Sequence, residues 1–318
     1  MLPKSGAVRK YRRRGSALLT VLWLTAALSA IGLAVANNVR GETERAATNV
    51  DDTRAWFAAR GGIERVMLRM QWGLPFYEPK QRVMELDFPT ATVHVEIIPE
   101  TSKLNLNGAR PEELARLLEA MGVPADRVLE ITGAIVDWRT PDALHASPLD
   151  AFYLGQSPSF SPRHASFQEN EELLLVKGVT PELYYGSSLD RSRPGLRDCL
   201  SVYGSTGLID INTARGETMQ AAGIAATDVA SILKLRAQQL FGYEDIQRII
   251  QATGTSGQRL GLASMTMFTL RATARIKQRD GKLSDMRRTA AALVKFQLPG
   301  NTQQKPPGVE ILRWFDRG

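Results

Sequence analysis

The residues best placed to undergo chemistry lie near the N-terminus, and that chemistry is peptide-bond cleavage. A basic leader ends in Arg12-Arg13-Arg14, Gly15 follows, and from Ser16 to Asn38 no side chain is charged. A helix of roughly 20 mostly apolar residues crosses a bilayer, so this run is long enough to span one. Three fates fit it. An ordinary secretory signal would be cut after Ala34-Val35-Ala36, but the run is longer than the usual apolar core of about 7–15 residues. An uncleaved anchor is the second fate. The third is a leader removed after Gly15, leaving the apolar helix on the mature chain with Ser16 first. A single Gly set between the basic block and the apolar run favours the third.

Other reactive residues are sparse. His94, His145 and His164 are the only histidines. None has a zinc-type His-x-x-x-His spacing, and no Ser-His-Asp grouping has a nucleophile context. Each reads as a satisfied or exposed histidine. Cys199 is the single cysteine, so an intramolecular disulfide is excluded, and it reads as a small buried residue. Neither type of glycine-rich phosphate loop occurs. The sequence makes no case for an enzyme.

Charge separates the leader from the rest. The chain has 40 Lys+Arg against 33 Asp+Glu, a formal +7. Lys4, Arg9, Lys10, Arg12, Arg13 and Arg14 precede Gly15, and without them 34 basic residues face 33 acidic ones. The body is nearly neutral, so overall composition gives no support for nucleic-acid binding. Basic residues before an apolar span hold that end in the cytoplasm, which places the body beyond the inner membrane.

The elements that position these residues can be read from periodicity. From Val39 to about Met70 apolar residues recur at helical spacing (Ala46, Val50, Trp56, Phe57, Ile63, Val66, Met67, Met70) with no Pro, which predicts one helix from near Ser16 to about Met70. At 1.5 Å per residue it is on the order of 80 Å long. Gly61-Gly62 is expected to weaken or bend it, and Gly73-Leu74-Pro75 to end it. Alternating strands are predicted over residues 82–86, 92–98, 267–276, 291–296 and 309–315, with Asp280-Gly281-Lys282 as a turn. An antiparallel sheet packed on the helix, split by a large helical insert, makes the chain α+β. The implied divisions are a leader at 1–15, a transmembrane helix at 16–38, helix continuation and first strands at 39–100, an α-helical insert at 101–263, and completing strands at 264–318.

The insert carries a repeat. Leu104 to Leu114 (Leu-Asn-Leu-Asn-Gly-Ala-Arg-Pro-Glu-Glu-Leu) aligns with Ile209 to Met219 (Ile-Asp-Ile-Asn-Thr-Ala-Arg-Gly-Glu-Thr-Met), and Phe167 with Glu172-Leu173 aligns with Phe241 with Asp245-Ile246. Asn107 and Asn212 are expected to cap the helices that follow. The first copy is interrupted by about Trp138 to Ser166. Each copy is too short to bury much alone, so the pair should pack as one unit. The pattern resembles helix-hairpin-helix (SAM-like) modules, some of which hold DNA phosphates on Gly-x-Gly hairpins. Here the hairpins hold one Gly each, Gly122 and Gly223, and Pro124 lacks an amide donor. A packing unit is favoured, with a membrane-anchored DNA-binding or uptake protein as the alternative.

Taken in order, the Gly-terminated leader, long helix, Leu-Asn-Leu-Asn-Gly-Ala repeat, Ile135-Val136-Asp137-Trp138-Arg139 and the Lys177–Tyr184 segment resemble the K-type minor pseudopilins of bacterial type II secretion systems. The resemblance spans nearly the whole chain. It implies a pilin-like helix and sheet with a helical insert, placed at the tip of a periplasmic pseudopilus. The body would lie in the periplasm of a Gram-negative cell, on a single-pass inner-membrane anchor. The implied partners are the I- and J-type minor pseudopilins and the prepilin peptidase, with no nucleic acid. Cleavage would fall between Gly15 and Ser16, followed by N-methylation of Ser16. Thr20 is then the fifth mature residue, where most pilin-like subunits have Glu. A tip subunit has a neighbour on one side only, and an unpaired carboxylate in lipid is costly, so losing the acid is physically sensible. K-type relatives also bind calcium on an acidic loop that corresponds here to Asp137, Asp142 and Asp150, oxygen donors that suit a hard cation. The usual Gly-Ala-Glu-Asp stretch reads Ser147-Pro148-Leu149-Asp150 and the loop is shortened, so surface acids and turn caps stand as the other account. No cofactor is required.

Overall fold

The computed structural model describes residues 16–72, 83–141, 147–186, 193–253, 259–262, 266–278, 280–296 and 308–315. Along the chain, helix α1 (Ser16–Trp72) is followed by β1 (Val83–Asp87), β2 (Ala91–Pro99) and the short β3 (Leu104–Asn105). Next come α2 (Pro111–Ala120), α3 (Ala125–Arg139), α4 (Asp150–Leu154), α5 (Pro181–Tyr185), α6 (Leu196–Cys199), β4 (Leu200–Ser201) and β5 (Ile209–Asp210). Helices α7 (Gly216–Ala221), α8 (Ala226–Arg236) and α9 (Tyr243–Thr253) precede β6 (Leu260–Gly261), β7 (Met267–Ile276), β8 (Arg288–Phe296) and β9 (Val309–Phe315).

The α+β reading holds. Five strands form one antiparallel sheet in the order β1-β2-β7-β8-β9. Alternation decides its two faces, because successive strand side chains point to opposite sides. Val93, Val95 and Ile97 of β2 and Leu270, Ala272 and Ala274 of β7 point inward and are buried. Ala55, Ala59, Ile63 and Val66, spaced as one face of a helix, cover them from α1. The small residues let the helix lie close to the sheet. Gly62 shows how close: a Cβ there would stand 2.7 Å from Val93 Cγ1. The glycine pair expected to bend the helix instead sits in an unbroken one, with Gly62 serving the contact. The expected stop at residues 73–75 lies outside the described residues.

β2 and β7 are sheet neighbours, with Pro99 opposite Phe268, so the long segment between them leaves and re-enters the sheet at one end. That segment has its own core, built from both repeats and including Leu106, Leu117, Ile135, Ile211, Met219 and Ile232. The repeats are equivalent in hydrogen bonding as well as sequence. Asn107 donates to the Phe167 carbonyl at 3.0 Å and accepts from its amide at 2.7 Å. Asn212 does the same to Phe241, at 3.0 and 2.9 Å. Arg139 donates to the carbonyls of Leu106 and Ala109, and Arg236 to those of Ile211 and Ala214. The asparagines are therefore clamps on the backbone of a distant phenylalanine, which corrects the capping role expected for them. Arg110 and Arg215 occupy the N-cap positions of α2 and α7.

Polar contacts tie this segment to the sheet. Glu100 and Lys103, 1% and 4% exposed, form an ion pair at 3.1 Å, and Thr269 of β7 also donates to Glu100. Arg271 of β7 reaches Asp198 of α6 at 3.1 Å, and Arg313 of β9 reaches Glu169 at 2.7 Å.

Candidate functional site

Two regions hold the residues singled out by sequence. The first is the N-terminal half of α1. It is the one helix among the described residues long and apolar enough to cross a membrane. Leu18, Leu22, Trp23, Leu28 and Ile31 are all exposed, covered by none of the described residues. Further along the same helix, Ala55 to Val66 is buried on the sheet. One helix thus offers an uncovered apolar half and a packed half. Thr20 satisfies its hydroxyl by donating to the Ala17 carbonyl at 2.8 Å, so a polar side chain in the apolar stretch leaves no orphan donor. Gly15 lies outside the described residues, and Ser16 begins the helix.

The second region is the loop after α3. Asp137, near the C-terminal end of α3, accepts from the Ser147 hydroxyl at 2.6 Å through Oδ1. Its Oδ2 is buried with no hydrogen-bond partner. Asp150 opens α4 and meets His164 Nε2 at 2.8 Å. The other ring nitrogen of His164 lies 3.4 Å from the Asp137 carbonyl. Asp137 and Asp150 are therefore brought to one place, linked through His164, while Asp142 lies outside the described residues. Burial lowers the His164 pKa, but the hydrogen bonds and charges of Asp150 and Asp137 outweigh it and leave the imidazole above its ordinary value. His164 also sits at φ 45°, a left-handed conformation uncommon for a residue with a Cβ. An aromatic cluster holds the loop: Trp138 packs edge-on to Tyr153 at 5.5 Å and stacks on Phe167 at 6.1 Å.

These groups do not yet make a calcium shell. Among the described residues no cluster of three or more His, Cys, Asp or Glu is arranged to hold a metal. Among the described residues, Asp137 Oδ2 is the one buried carboxylate oxygen without a hydrogen-bond partner, the kind of oxygen a cation would satisfy. His164 competes with any cation for Asp150. The sequence left His164 without a role because its separation of 14 positions from Asp150 follows no regular spacing. Only the fold of the interrupted repeat brings them together.

The remaining reactive residues are quiet. Cys199 is fully buried, and burial pushes its thiol up to about 12. A thiol so far from ionising is a poor nucleophile at neutral pH. His94 meets Glu85 at 2.6 Å on the sheet. His145 lies outside the described residues.

Residues 100–186 match the family model described as type II secretion system (T2SS), protein K. The type II secretion system protein K of Klebsiella pneumoniae is 25% identical over 289 residues, with 80% of this chain and 85% of that protein covered. The fold is similar to a chain in the crystal structure of the GspK-GspI-GspJ complex from the enterotoxigenic Escherichia coli type 2 secretion system. The TM-score is 0.58 at 15% identity, and the match covers 85% of this chain and 98% of that one. The matched family region holds the first repeat and its acidic loop, and the relative's alignment extends over most of the chain, so the sequence is similar to type II secretion system protein K and the fold to a chain of the GspK-GspI-GspJ complex.

Proposed function

We propose that this chain is a minor pseudopilin of a type II secretion system, seated at the tip of the pseudopilus. The division of α1 carries the reading. An apolar half with no partner among the described residues suits a bilayer or a bundle of similar helices, and the half packed on the sheet holds the body to it. Thr20 supports a tip position, since a chain without the acid at that place has no need of a partner above it. The body lies in the periplasm, by the positive leader. The solved neighbour is a GspK-GspI-GspJ complex, so the I- and J-type minor pseudopilins are the partners to test. Co-expression of the full chain with both, followed by co-purification in mild detergent, should recover a complex. Recovery of this chain alone, with both partners soluble and folded, would count against the reading.

The role is structural rather than catalytic. The histidines that are described are engaged by carboxylates, and Cys199 is buried and un-ionised. The repeats serve as a packing unit. Hairpin amides that could meet a DNA phosphate are already spent: Gly122 and Val123 donate to Glu119 and Leu118, and Gly223 and Ile224 to Gln220 and Met219. A calcium ion on the Asp137–Asp150 loop belongs to the same reading, with Asp137 Oδ2 as its first ligand and Asp142 as a further one.

A further inference from the structure

The outer face of the sheet, opposite α1, meets the insert across a cleft of about 520 Å³. Its composition is lopsided for a body that is nearly neutral. Arg193, Arg197, Arg215, Arg271, Arg275 and Arg287 line it, against three carboxylates, Glu85, Glu96 and Asp198. The carboxylates are already engaged. His94 sits 2.6 Å from Glu85, and Arg271 holds both Asp198 at 3.1 Å and Glu96 at 3.5 Å. Arg275 is taken up by Asp285 and by the Ser284 carbonyl. Among the described residues, Arg193, Arg197, Arg215 and Arg287 have no ion-pair partner. Arg197 also keeps a buried Nε without a hydrogen bond.

Among the described residues, four guanidiniums from the insert and the β7–β8 connection thus line one cleft without an ion pair of their own, with Asp198, already held by Arg271, as the carboxylate nearest Arg197 and Arg215. Crowding of this kind is costly, and an anion that entered would relieve it. Burial, and then the charge of Arg271, pulls the pKa of Arg197 below its usual range, and the charge of Asp198 offsets this only in part. Guanidinium forks match carboxylates in two-point contact, so the cleft suits several carboxylates presented together. Its volume falls within the usual range for a binding site, about 300–1,000 Å³.

We propose that this cleft binds an acidic polypeptide segment, one that presents two or more carboxylate side chains to Arg193, Arg197, Arg215 and Arg287. Nucleic acid fits less well. The one Tyr of the lining, Tyr185, is covered by the Arg197 guanidinium at 5.1 Å, so it is not free to stack on a base. The proposal rests on the cleft alone and does not depend on the tip position.

The test uses the full chain in detergent and a fluorescein-labelled hexaglutamate peptide, read by anisotropy at low ionic strength. Saturable binding is expected, weakening as salt is added. Arg193 and Arg287 are both exposed, so Arg193→Glu with Arg287→Glu should leave the thermal melt unchanged and weaken binding about tenfold or more. Lys234→Glu, outside the lining, should leave binding intact. No hexaglutamate binding, equal binding of hexaglutamine, or no effect of the double variant overturns the proposal. Full displacement by micromolar sulfate would show a small-anion site instead. A labelled single-stranded oligonucleotide binding the cleft more tightly than hexaglutamate would likewise overturn it.

Discussion

The Thr269 hydroxyl donates to Glu100 Oε1 at 2.5 Å, joining residues 169 apart in sequence at the point where the insert leaves the sheet. Glu100 is buried and paired with Lys103, so its charge depends on those partners. Removing one member of a buried pair strands the other, at a cost of about 3–5 kcal/mol. Lys103→Met should lower unfolding free energy by about that much, and Glu100→Gln with Lys103→Met should recover most of it. Urea titrations of the full chain in detergent measure both. Equal stability of the single and double variants would contradict the pairing. Burial raises the Glu100 pKa, but Lys103 and the surrounding hydrogen bonds outweigh it and leave the group lowered. Its contribution is therefore present above the ordinary Glu value and lost as pH falls through the lower folded value.

Gly61 and Gly62 are neighbours with opposite fates. A Cβ at Gly61 meets open space, and one at Gly62 meets Val93. Gly61→Ala should stabilise by about 0.5–1 kcal/mol, since glycine is a poor helix residue. Gly62→Val should destabilise by about 1–3 kcal/mol through overpacking. Thermal melts of the two variants decide it, and a matching response at both sites would refute the helix–sheet contact.

His164 gives the acidic loop a pH dependence. Its folded pKa is raised, so its stabilising contribution is full below the ordinary value of 6.5 and fades as pH rises through the folded one. The parent should exceed His164→Gln in stability at acidic pH, with the gap closing in alkali. A gap that is flat with pH would sink this account.

A calcium ion bound as proposed would compete with the imidazolium for Asp150, so any calcium-induced rise in the melting midpoint should grow with pH. Asp137→Ala with Asp150→Ala should abolish it. Millimolar calcium and chelator, compared on either side of neutrality, provide the measurement. Equal midpoints at every pH, or a shift that survives the double variant, would remove these residues from a metal site.

Processing should fall between Gly15 and Ser16. Mass spectrometry of the mature chain is expected to show Ser16 at the N-terminus, N-methylated, and a bulky residue at Gly15 should leave the precursor uncut. A terminus at Asn37 would indicate ordinary signal-peptidase cleavage after Ala36.

Local chemistry was legible because it is written in short-range periodicity. The uncharged run after Gly15, the Ala55 to Val66 stripe and the alternation in residues 92–98 and 267–276 each select a helix or a strand from the spacing of their apolar residues. The paired Leu-Asn-Leu-Asn and Ile-Asp-Ile-Asn segments also announced two equivalent units. What those asparagines hold was not legible, because Phe167 lies 60 residues from Asn107 while Phe241 lies 29 from Asn212. The role of Gly62 depended on which residue the sheet sets beneath it. The same is true of the acidic loop and the arginine cleft. Asp150 meets His164, and Arg193 lines one cleft with Arg287, only after a long insert has folded and returned its ends to adjacent strands. Sequence spacing fixes which face of an element a side chain occupies, but the meeting of two elements is set by packing, and packing placed these charges together.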